Sequence, residues 1–211
     1  MGFKEENYQH LSTTLIKKLK QRNFEGYFCK SRSDALKLAL SFIPEGASVC
    51  HGGSESIKEI GLLDAVKNGN YIYLDRSLAK TPQEHREIVA QGILSHTFLM
   101  GTNALTMAGE LVNVDGKSNR VALLCYGPEQ VIVIVGINKI VEDIDAGIFR
   151  AQNTAAPVNA IRQNLKTPCY DTGHCGDCHI EGCMCSNTVI TRHSGSPGRI
   201  KIILIGESIG Y

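Results

Sequence analysis

Five of the eight cysteines of this chain lie between residues 169 and 185, among glycine and polar residues. Cys175 and Cys178 have the Cys-x-x-Cys spacing, which lets both sulfurs reach one metal ion from a single turn. The flanking cysteines are Cys169, Cys183 and Cys185. Such a composition does not form a packed helix or strand, so residues 167–190, the cysteine-rich loop, are predicted to be irregular. Thiolates bound to a metal ion or an iron–sulfur cluster would supply the energy that holds this loop.

Two other chemistries fit clustered cysteines. Disulfide bonds need an oxidising compartment, but the first residues lack an apolar signal-peptide core, and no run of about 18 apolar residues could span a membrane. We therefore expect a cytoplasmic protein, in which clustered cysteines favour a metal over disulfides. The other chemistry is a redox dithiol of the thioredoxin kind, which follows a strand at the start of a helix. Here three further cysteines surround the pair, which favours a metal over a dithiol.

The type of metal centre stays open between two choices. Structural zinc usually uses two cysteine pairs of short spacing, whereas the cysteine-rich loop has one such pair with looser flanks. A [4Fe–4S] cluster suits that pattern at least as well and is our first expectation, with zinc as the alternative. His174 and His179 are further candidate zinc ligands, although a solvated histidine is the commoner state in a polar loop. The remaining cysteines are predicted to be small core residues: Cys29, Cys50 and Cys125.

Composition restricts the class of protein. The 211 residues carry 22 lysines and arginines against 21 aspartates and glutamates, and tryptophan is absent. No basic stripe with interleaved aromatic residues appears, so no nucleic-acid partner is expected. The length suits one α/β domain. We expect residues 1–166 and 191–211 to form that domain, with the cysteine-rich loop as an excursion before a closing strand.

Hydrophobic periodicity predicts helices alternating with short strands, which indicates an α/β fold with an open, mainly parallel sheet. Four short strands are expected between residues 98 and 136, and one of them is Val121 to Cys125. A helix is expected from about Lys139 to Leu165, with an interruption at Pro157. The apolar run Ile200 to Ile205 is predicted to be a strand that returns to the sheet.

Two predicted strand-to-helix junctions carry residues suited to an anionic ligand. At the first, Gly52 and Gly53 would let backbone N–H groups converge on an anion just before the helix that follows Ser54. A tight turn without a ligand explains the same residues, because the spacing is neither a P-loop nor a dinucleotide-binding fingerprint. At the second, Asn138 is suited to cap a helix and Lys139 to reach a phosphate or carboxylate.

An unusually polar segment between residues 101 and 120 is predicted to form a β-hairpin with its turn at Asp115–Gly116. Such a hairpin can present Asn103, Glu110 and Asn113 to a ligand at the carboxyl end of a strand, where open α/β sheets bind. Glu110 is the carboxylate beside a glycine bend, so it is the candidate acid, base or nucleophile. A surface glutamate without a catalytic role is the alternative.

Five segments together resemble the lactate-utilisation (LUD) domain family, in the stand-alone branch with a C-terminal cysteine cluster. They are Gly52-Gly53-Ser54 with the helix up to Leu62, Gly109 to Gly116, Val135 to Val141, Thr167 to Cys185, and Gly198 to Glu207. The resemblance covers nearly the whole chain. It implies the open sheet of the sugar-phosphate isomerase and CoA-transferase superfamily, with ligands at strand ends. The recurrent cysteines of that branch match Cys169, Cys175, Cys178 and Cys185, and Cys183 is extra.

The same resemblance implies a function in the utilisation of lactate or another 2-hydroxy acid. Related members are subunits of an L-lactate oxidation system alongside iron–sulfur partners. We therefore expect a small-molecule metabolite and iron–sulfur redox proteins as partners, with a homodimer as a further assembly. The alternative is a CoA-transferase-like or isomerase-like enzyme, or a metabolite sensor. It would hold a structural zinc and bind a phosphorylated or carboxylate ligand at the Gly52 turn.

Overall fold

The computed structural model describes residues 2–211, which form an α/β fold around a six-stranded sheet. The strands of these residues are β1 (Glu25–Cys29), β2 (Ser48–His51), β3 (Ile72–Leu74), β4 (Thr97–Gly101), β5 (Ala104–Thr106), β6 (Leu111–Asp115), β7 (Gln130–Gly136), β8 (Ile140–Val141), β9 (Asn187–Thr191) and β10 (Ile200–Ile205). The main sheet has the order β1-β10-β7-β4-β2-β3, and all its neighbouring strands are parallel. The predicted mainly parallel open sheet is confirmed, and its strands all end at one edge.

Helices cover both faces of this sheet. They are α1 (Phe3–Gln21), α2 (Arg32–Ser41), α3 (Glu55–Glu59), α4 (Leu62–Asn68), α5 (Pro82–Ile93), α6 (Asn119–Cys125), α7 (Ile144–Arg150), α8 (Ala156–Arg162) and α9 (Pro168–Thr172). A π-helical turn, Ala151–Ala155, joins α7 to α8. No helix in residues 2–211 combines the length and the apolar character needed to cross a membrane.

Alternate residues of the central strands point to opposite faces, as the period of two in a strand requires. In β7, Val131, Val133 and Val135 pack with α1 and α6 on one face, while Ile132 and Ile134 pack with α2, α3 and α4 on the other. A strand buried on both faces has a continuous apolar sequence. This explains the continuous run of valine and isoleucine in β7 and the sequence of β10, which is apolar except for Lys201.

The predicted returning strand is confirmed. β10 lies between β1 and β7, with Ile202 opposite Gly26 on one side and Val133 on the other. β1 and β7 come from earlier in the chain, so β10, which follows the cysteine-rich loop, is the last strand to join the sheet. The boundaries expected at residues 166 and 190 stay predictions.

A smaller sheet, in the order β8-β5-β6-β9, lies beyond the ends of the main strands. β6 pairs antiparallel with β5 and with β9, while β8 runs parallel to β5. The expected hairpin turn at Asp115–Gly116 is wrong, because the β5–β6 connection falls at residues 107–110 and the chain enters α6 after β6. The cysteine-rich loop, which was predicted to be irregular, is not irregular throughout: it begins with the short helix α9, which contains Cys169, and ends in β9, which ties it to this sheet.

Three local predictions are corrected by tertiary structure. Val121 to Cys125 lies in α6 instead of a strand, and Cys125 is exposed instead of buried. A short apolar run does not distinguish the two elements by its pattern. The last long helix begins at Ile144 and not at Lys139, because Asp143 caps it by accepting a hydrogen bond from the N–H of Ala146 at 2.8 Å. The interruption that was predicted near Pro157 is present as the π-helical turn, and Pro157 is the second residue of α8, where its missing N–H costs little.

Candidate functional site

A cavity of about 580 Å³ lies at the carboxyl edge of the main sheet. We call it the edge cavity. The segments after β2, β4 and β7 supply Gly53, Ser54, Asn103 and Lys139 to its wall. Parallel strands all end at one edge, so three junctions that are far apart in sequence meet there. The volume is in the range of pockets that enclose small organic ligands.

Arg120, on the first turn of α6, organises one wall of the edge cavity. Its guanidinium donates to Asn113 Oδ1 at 2.6 Å and to Asn103 Oδ1 at 3.1 Å. It also donates to Asp115 Oδ2 at 3.2 Å and to the carbonyl oxygens of Gly101 and Val114. Burial lowers the pKa of Arg120, and the Asp115 carboxylate opposes that effect. Arg120 therefore fixes the polar strand ends, but its donors are used within the protein.

Lys139 reaches the edge cavity from the junction after β7. Its side chain is only 4% exposed. Nζ donates to Ser56 Oγ at 2.9 Å and to the carbonyl oxygen of Thr102 at 3.2 Å. Burial, and next the charges of Arg150 and Arg120, lower the pKa of Lys139 to about 7. In residues 2–211 no carboxylate forms an ion pair with this lysine.

Arg76 is a second cation that has no counter-ion among the described residues. It was not among the ligand residues predicted from the sequence. It follows β3, lines the edge cavity and is half-buried. Among the described residues its guanidinium has neither an ion pair nor a side-chain hydrogen bond, although it lies close to Gly53. Burial lowers the pKa of Arg76, and the more distant charge of Asp115 partly offsets this. The sequence signal was the position of Arg76 just after a strand, at the same edge as Gly53.

The opposite wall comes from α8 and the end of the chain. Arg162 contacts Glu55 at 3.4 Å, and its Nε donates to the hydroxyl of Tyr211 at 2.8 Å. The same hydroxyl donates to Asn159 Oδ1 at 2.9 Å. Unlike Arg76 and Lys139, Arg162 has a carboxylate partner, Glu55, which also pairs with Lys58 at 2.9 Å. Arg76 and Lys139 have no ion-pair partner in residues 2–211, and the exposed Lys117 also lines the cavity, so the lining suits an anionic ligand.

The cysteine-rich loop crosses the mouth of the edge cavity, and Gly182, Cys183 and Met184 line it. The sulfur of Met184 accepts hydrogen bonds from Asn159 Nδ2 at 3.1 Å and Gln163 Nε2 at 3.3 Å. On the other side, the loop packs on Gly116, where a Cβ atom would lie 3.1 Å from Met184 Cα. This segment is thus wedged between α8 and the end of β6.

The Cys-x-x-Cys segment has one sulfur held by a backbone N–H group. The backbone N–H of Asp177 donates to Cys175 Sγ at 3.4 Å. Backbone N–H bonds of this kind orient ligand sulfurs and stabilise their charge. The donor set therefore fits a thiolate-bound centre.

The other thiols of the loop are neighbours of this pair. Burial, and next the neighbouring Cys183, raises the pKa of Cys178. Burial, followed by the nearby charges of Cys183, Cys175 and Cys169, raises the pKa of Cys185 to about 12. In the part of the chain that the structure describes, no three metal-ligating side chains have the compact arrangement of a metal site. The sulfurs would have to move closer together around an ion, as binding coupled to folding allows.

The predicted ligand residues divide into two groups. Gly53, Ser54, Asn103 and Lys139 line the edge cavity. Three others lie behind its wall: Gly52 contacts Arg120, Asn113 is fully buried beneath it, and Asn138 binds the backbone of Ile209 and Gly210. Their direct contact with a ligand stays a prediction.

Glu110 lies away from the edge cavity. It is 9% exposed, pairs with Arg22 at the end of α1, and accepts a hydrogen bond from the hydroxyl of Thr106. Arg22 also donates to the carbonyl oxygens of Ala108 at 2.7 Å and Arg192 at 2.7 Å. This ion pair joins α1 to the small sheet. The catalytic role of Glu110 stays a prediction, and its surroundings are those of a structural contact.

An open parallel sheet, a cationic cavity at its carboxyl edge and a cysteine-rich loop across that cavity define a class of α/β protein with ligand sites at strand ends. The LUD domain family model matches residues 13–205, so the chain belongs to the LUD domain family, which supports a role related to lactate utilisation. A solved DUF162 family protein from Deinococcus radiodurans has a similar fold, with a TM-score of 0.54 at 10% identity over 93% of this chain and 97% of that one. No curated protein matches the sequence significantly.

Proposed function

We propose that this chain is a cytoplasmic LUD-type protein of 2-hydroxy-acid utilisation, which binds a small carboxylate in the edge cavity beside a cysteine-bound metal centre. One observation carries the proposal. Cys183 and Met184 of the cysteine-rich loop line the same cavity as Lys139 and Arg76. A metabolite in that cavity would therefore lie next to the segment that holds the metal.

The cationic groups define the ligand chemistry. Arg76 has the planar, bidentate donor geometry that suits a carboxylate or phosphate. Lys139 adds a nitrogen held in a fixed place by Ser56 and Thr102. Because neither residue has a carboxylate partner, an anionic ligand gains their attraction without breaking an existing ion pair.

The metal ligands we propose are Cys169, Cys175, Cys178 and Cys185, with Cys183 as a spare thiol at the cavity. A [4Fe–4S] cluster bound there would supply one-electron transfer. Within the chain, Asp177 N–H holds the sulfur of Cys175, and Asn153 holds the backbone of Cys175. Oxidation of a 2-hydroxy acid to the 2-oxo acid releases two electrons and two protons, for which we propose an iron–sulfur redox protein as the acceptor partner.

Anaerobic purification tests the metal centre. We expect a coloured protein whose visible absorption bleaches on reduction and which contains iron and sulfide in equal amounts. Cys178→Ser should lower the iron content strongly, whereas Cys125→Ser, at an exposed cysteine outside the loop, should leave it unchanged. A colourless protein without iron would contradict the redox assignment.

Ligand binding tests the cavity separately. Thermal unfolding of the purified protein should shift upward with L-lactate or larger 2-hydroxy acids, because a ligand that binds only the native state stabilises it. Arg76→Gln should reduce that shift, and Arg86→Gln, at an exposed arginine on α5, should not. Equal shifts in both variants would remove Arg76 from the site.

The second candidate is a CoA-transferase-like or isomerase-like enzyme, or a metabolite sensor, with a structural zinc. The observation that favours it is Lys139, whose pKa of about 7 is suited to acid–base work at a carbonyl compound. Zinc at one atom per chain, bound by the same cysteines in a colourless protein, would favour this candidate. The edge cavity would serve either function.

A further inference from the structure

We propose that Lys139 is a nucleophile that forms a Schiff base with the carbonyl carbon of a 2-oxo acid held in the edge cavity. The ligand class rests on the proposed function, since a 2-hydroxy acid becomes a 2-oxo acid when it loses two electrons and two protons. Lys139 would then be a catalytic residue, because its nitrogen would bond to the reacting carbon.

The first argument is the position of the amine. Lys139 lines the edge cavity although only 4% of its surface is exposed. Its Nζ is held by two neutral acceptors, Ser56 Oγ and the Thr102 carbonyl oxygen. A buried lysine with a structural role is usually paired with a carboxylate, and none is paired with this one in residues 2–211. The lysine is thus fixed without being neutralised by a counter-ion.

The second argument is the charge around the amine. Arg120 and Arg150 lie near Lys139, and Arg150 donates to the carbonyl oxygens of Asn103 and Asn138. Glu59 is the nearby acid, but it is shared with Arg32 at 3.5 Å and with the backbone N–H of Gly210 at 3.0 Å. Burial and the two arginines lower the pKa of Lys139 to about 7. A substantial fraction of the lysine is therefore uncharged at neutral pH, and only the uncharged amine has the lone pair for attack.

The third argument is that a nearby cation, Arg76, can bind the carboxylate of the 2-oxo acid. Arg76 lines the same cavity and forms no ion pair within residues 2–211. Its guanidinium can bind the carboxylate of a 2-oxo acid, whose carbonyl carbon is the adjacent atom. One cation would then hold the carboxylate while an uncharged amine attacks the carbonyl. Ser56, whose hydroxyl lies 2.9 Å from Nζ, is placed to exchange a proton with the amine.

The step balances without an external reagent. Lys139 Nζ attacks the carbonyl carbon, a C–N bond forms, and the carbonyl oxygen takes up a proton. The resulting carbinolamine takes up one further proton from the solvent, loses its hydroxyl group as water and becomes a protonated C=N bond. One carbonyl compound, one amine and one proton thus give one protonated Schiff base and one water, and the carbon is neither oxidised nor reduced.

Borohydride trapping of the full-length protein tests the inference, with pyruvate as the probe. We expect intact-mass analysis to show one reduced adduct per chain and peptide mapping to place it on Lys139. L-lactate, which has a hydroxyl group in place of the ketone carbonyl, should give no adduct and should compete with pyruvate. Lys139→Met should lose the adduct. Lys201→Met removes a half-buried lysine that contacts Glu25 at 3.5 Å outside the cavity, and this control should keep it.

Pyruvate binding measured by thermal unfolding, without borohydride, distinguishes this inference from the proposed function. Pyruvate that shifts thermal unfolding but leaves no adduct, or an adduct spread over surface lysines, would overturn the Schiff base and leave the cavity proposal intact. Absence of both binding and adduct would overturn both. Arg76→Gln should raise the pyruvate concentration for half-maximal trapping roughly ten- to a hundredfold. Lys139→Gln, which keeps a hydrogen-bond donor for Ser56 and Thr102 without a buried charge, should fold and lose the adduct, so that loss of folding in Lys139→Met cannot hide the result.

Discussion

The side-chain oxygen of Asn153 accepts a hydrogen bond from the backbone N–H of Cys175 at 3.2 Å. Asn153 lies in the π-helical turn whose residues Ala151 and Ala155 line the edge cavity. π-Helical turns inside α-helices often occur at functional sites. This single contact joins the Cys-x-x-Cys segment to the cavity wall, and it couples the proposed metal centre to the ligand site.

Asn153→Ala should weaken metal binding by about tenfold, because a residue that orients a ligand contributes to affinity without touching the metal. Competition with a chelator under anaerobic conditions measures this. Gln152→Ala, on the same turn, is the matched control and should retain the metal as the wild type does. If both variants bind metal as tightly as the wild type, the contact does not support the centre.

Gly116→Ala should displace the part of the cysteine-rich loop that crosses the cavity. The new methyl group would lie 3.1 Å from the backbone of Met184, so the loop must shift by a few tenths of an ångström. Hydrogen exchange of residues 182–185 should become faster, and ligand-induced thermal shifts should become smaller. Gly195→Ala adds the same methyl group where nothing lies within 4 Å. Unchanged exchange in Gly116→Ala would show that the loop is not packed on this turn.

Arg120→Met should lower the free energy of unfolding by about 3 kcal/mol or more, because it leaves the Asp115 carboxylate buried and unpaired. The side chains of this pair are 11% and 12% exposed. Urea denaturation measures the change, and Arg86→Met, at an exposed arginine, should stay within about 0.5 kcal/mol of the wild type. A small effect in Arg120→Met would mean that Asp115 finds water or another donor.

Glu110→Gln should destabilise the protein by about 1–3 kcal/mol, since it removes the charge that pairs with Arg22. Ligand-induced thermal shifts should be unchanged, because Glu110 lies outside the edge cavity. The catalytic prediction from the sequence requires the opposite result: normal stability with lost turnover. Denaturation and turnover measured on the same preparation therefore decide between the two roles.

Lys139 should make stability depend on pH above neutrality. Its pKa falls from an ordinary value of 10.5 to about 7 in the folded protein, so between these values the unfolded chain binds more protons. Stability therefore rises with pH across this window, and below about pH 7 the folded state carries the full cost of a buried charge. The unfolding free energy of the wild type relative to Lys139→Met should increase from pH 7 to pH 10. A flat difference would mean that the buried lysine keeps its ordinary pKa.

The sequence by itself determined the elements that are buried on both faces. The run Ile200 to Ile205, which is apolar except for Lys201, indicated a strand that returns to the sheet, because a strand exposed on one face would have alternated apolar with polar residues. The cysteine spacing likewise indicated a loop with a Cys-x-x-Cys turn, and the glycine turn before Ser54 was placed correctly at the end of a strand. These features depend on neighbours within a few residues, so a local pattern contains them.

Only the tertiary structure decided which polar residues meet. The placement of β10 between β1 and β7, and the parallel order of the sheet, bring Arg76, Ser54 and Lys139 to one edge. Glu110 is as polar as these residues, yet it pairs with Arg22, which is distant in sequence, and it does not line the edge cavity. Its catalytic role stays a prediction. Arg76 is distinguished by the lack of such a partner among the described residues. Whether a charge is paired depends on side chains far away in sequence, and local periodicity contains no information about them.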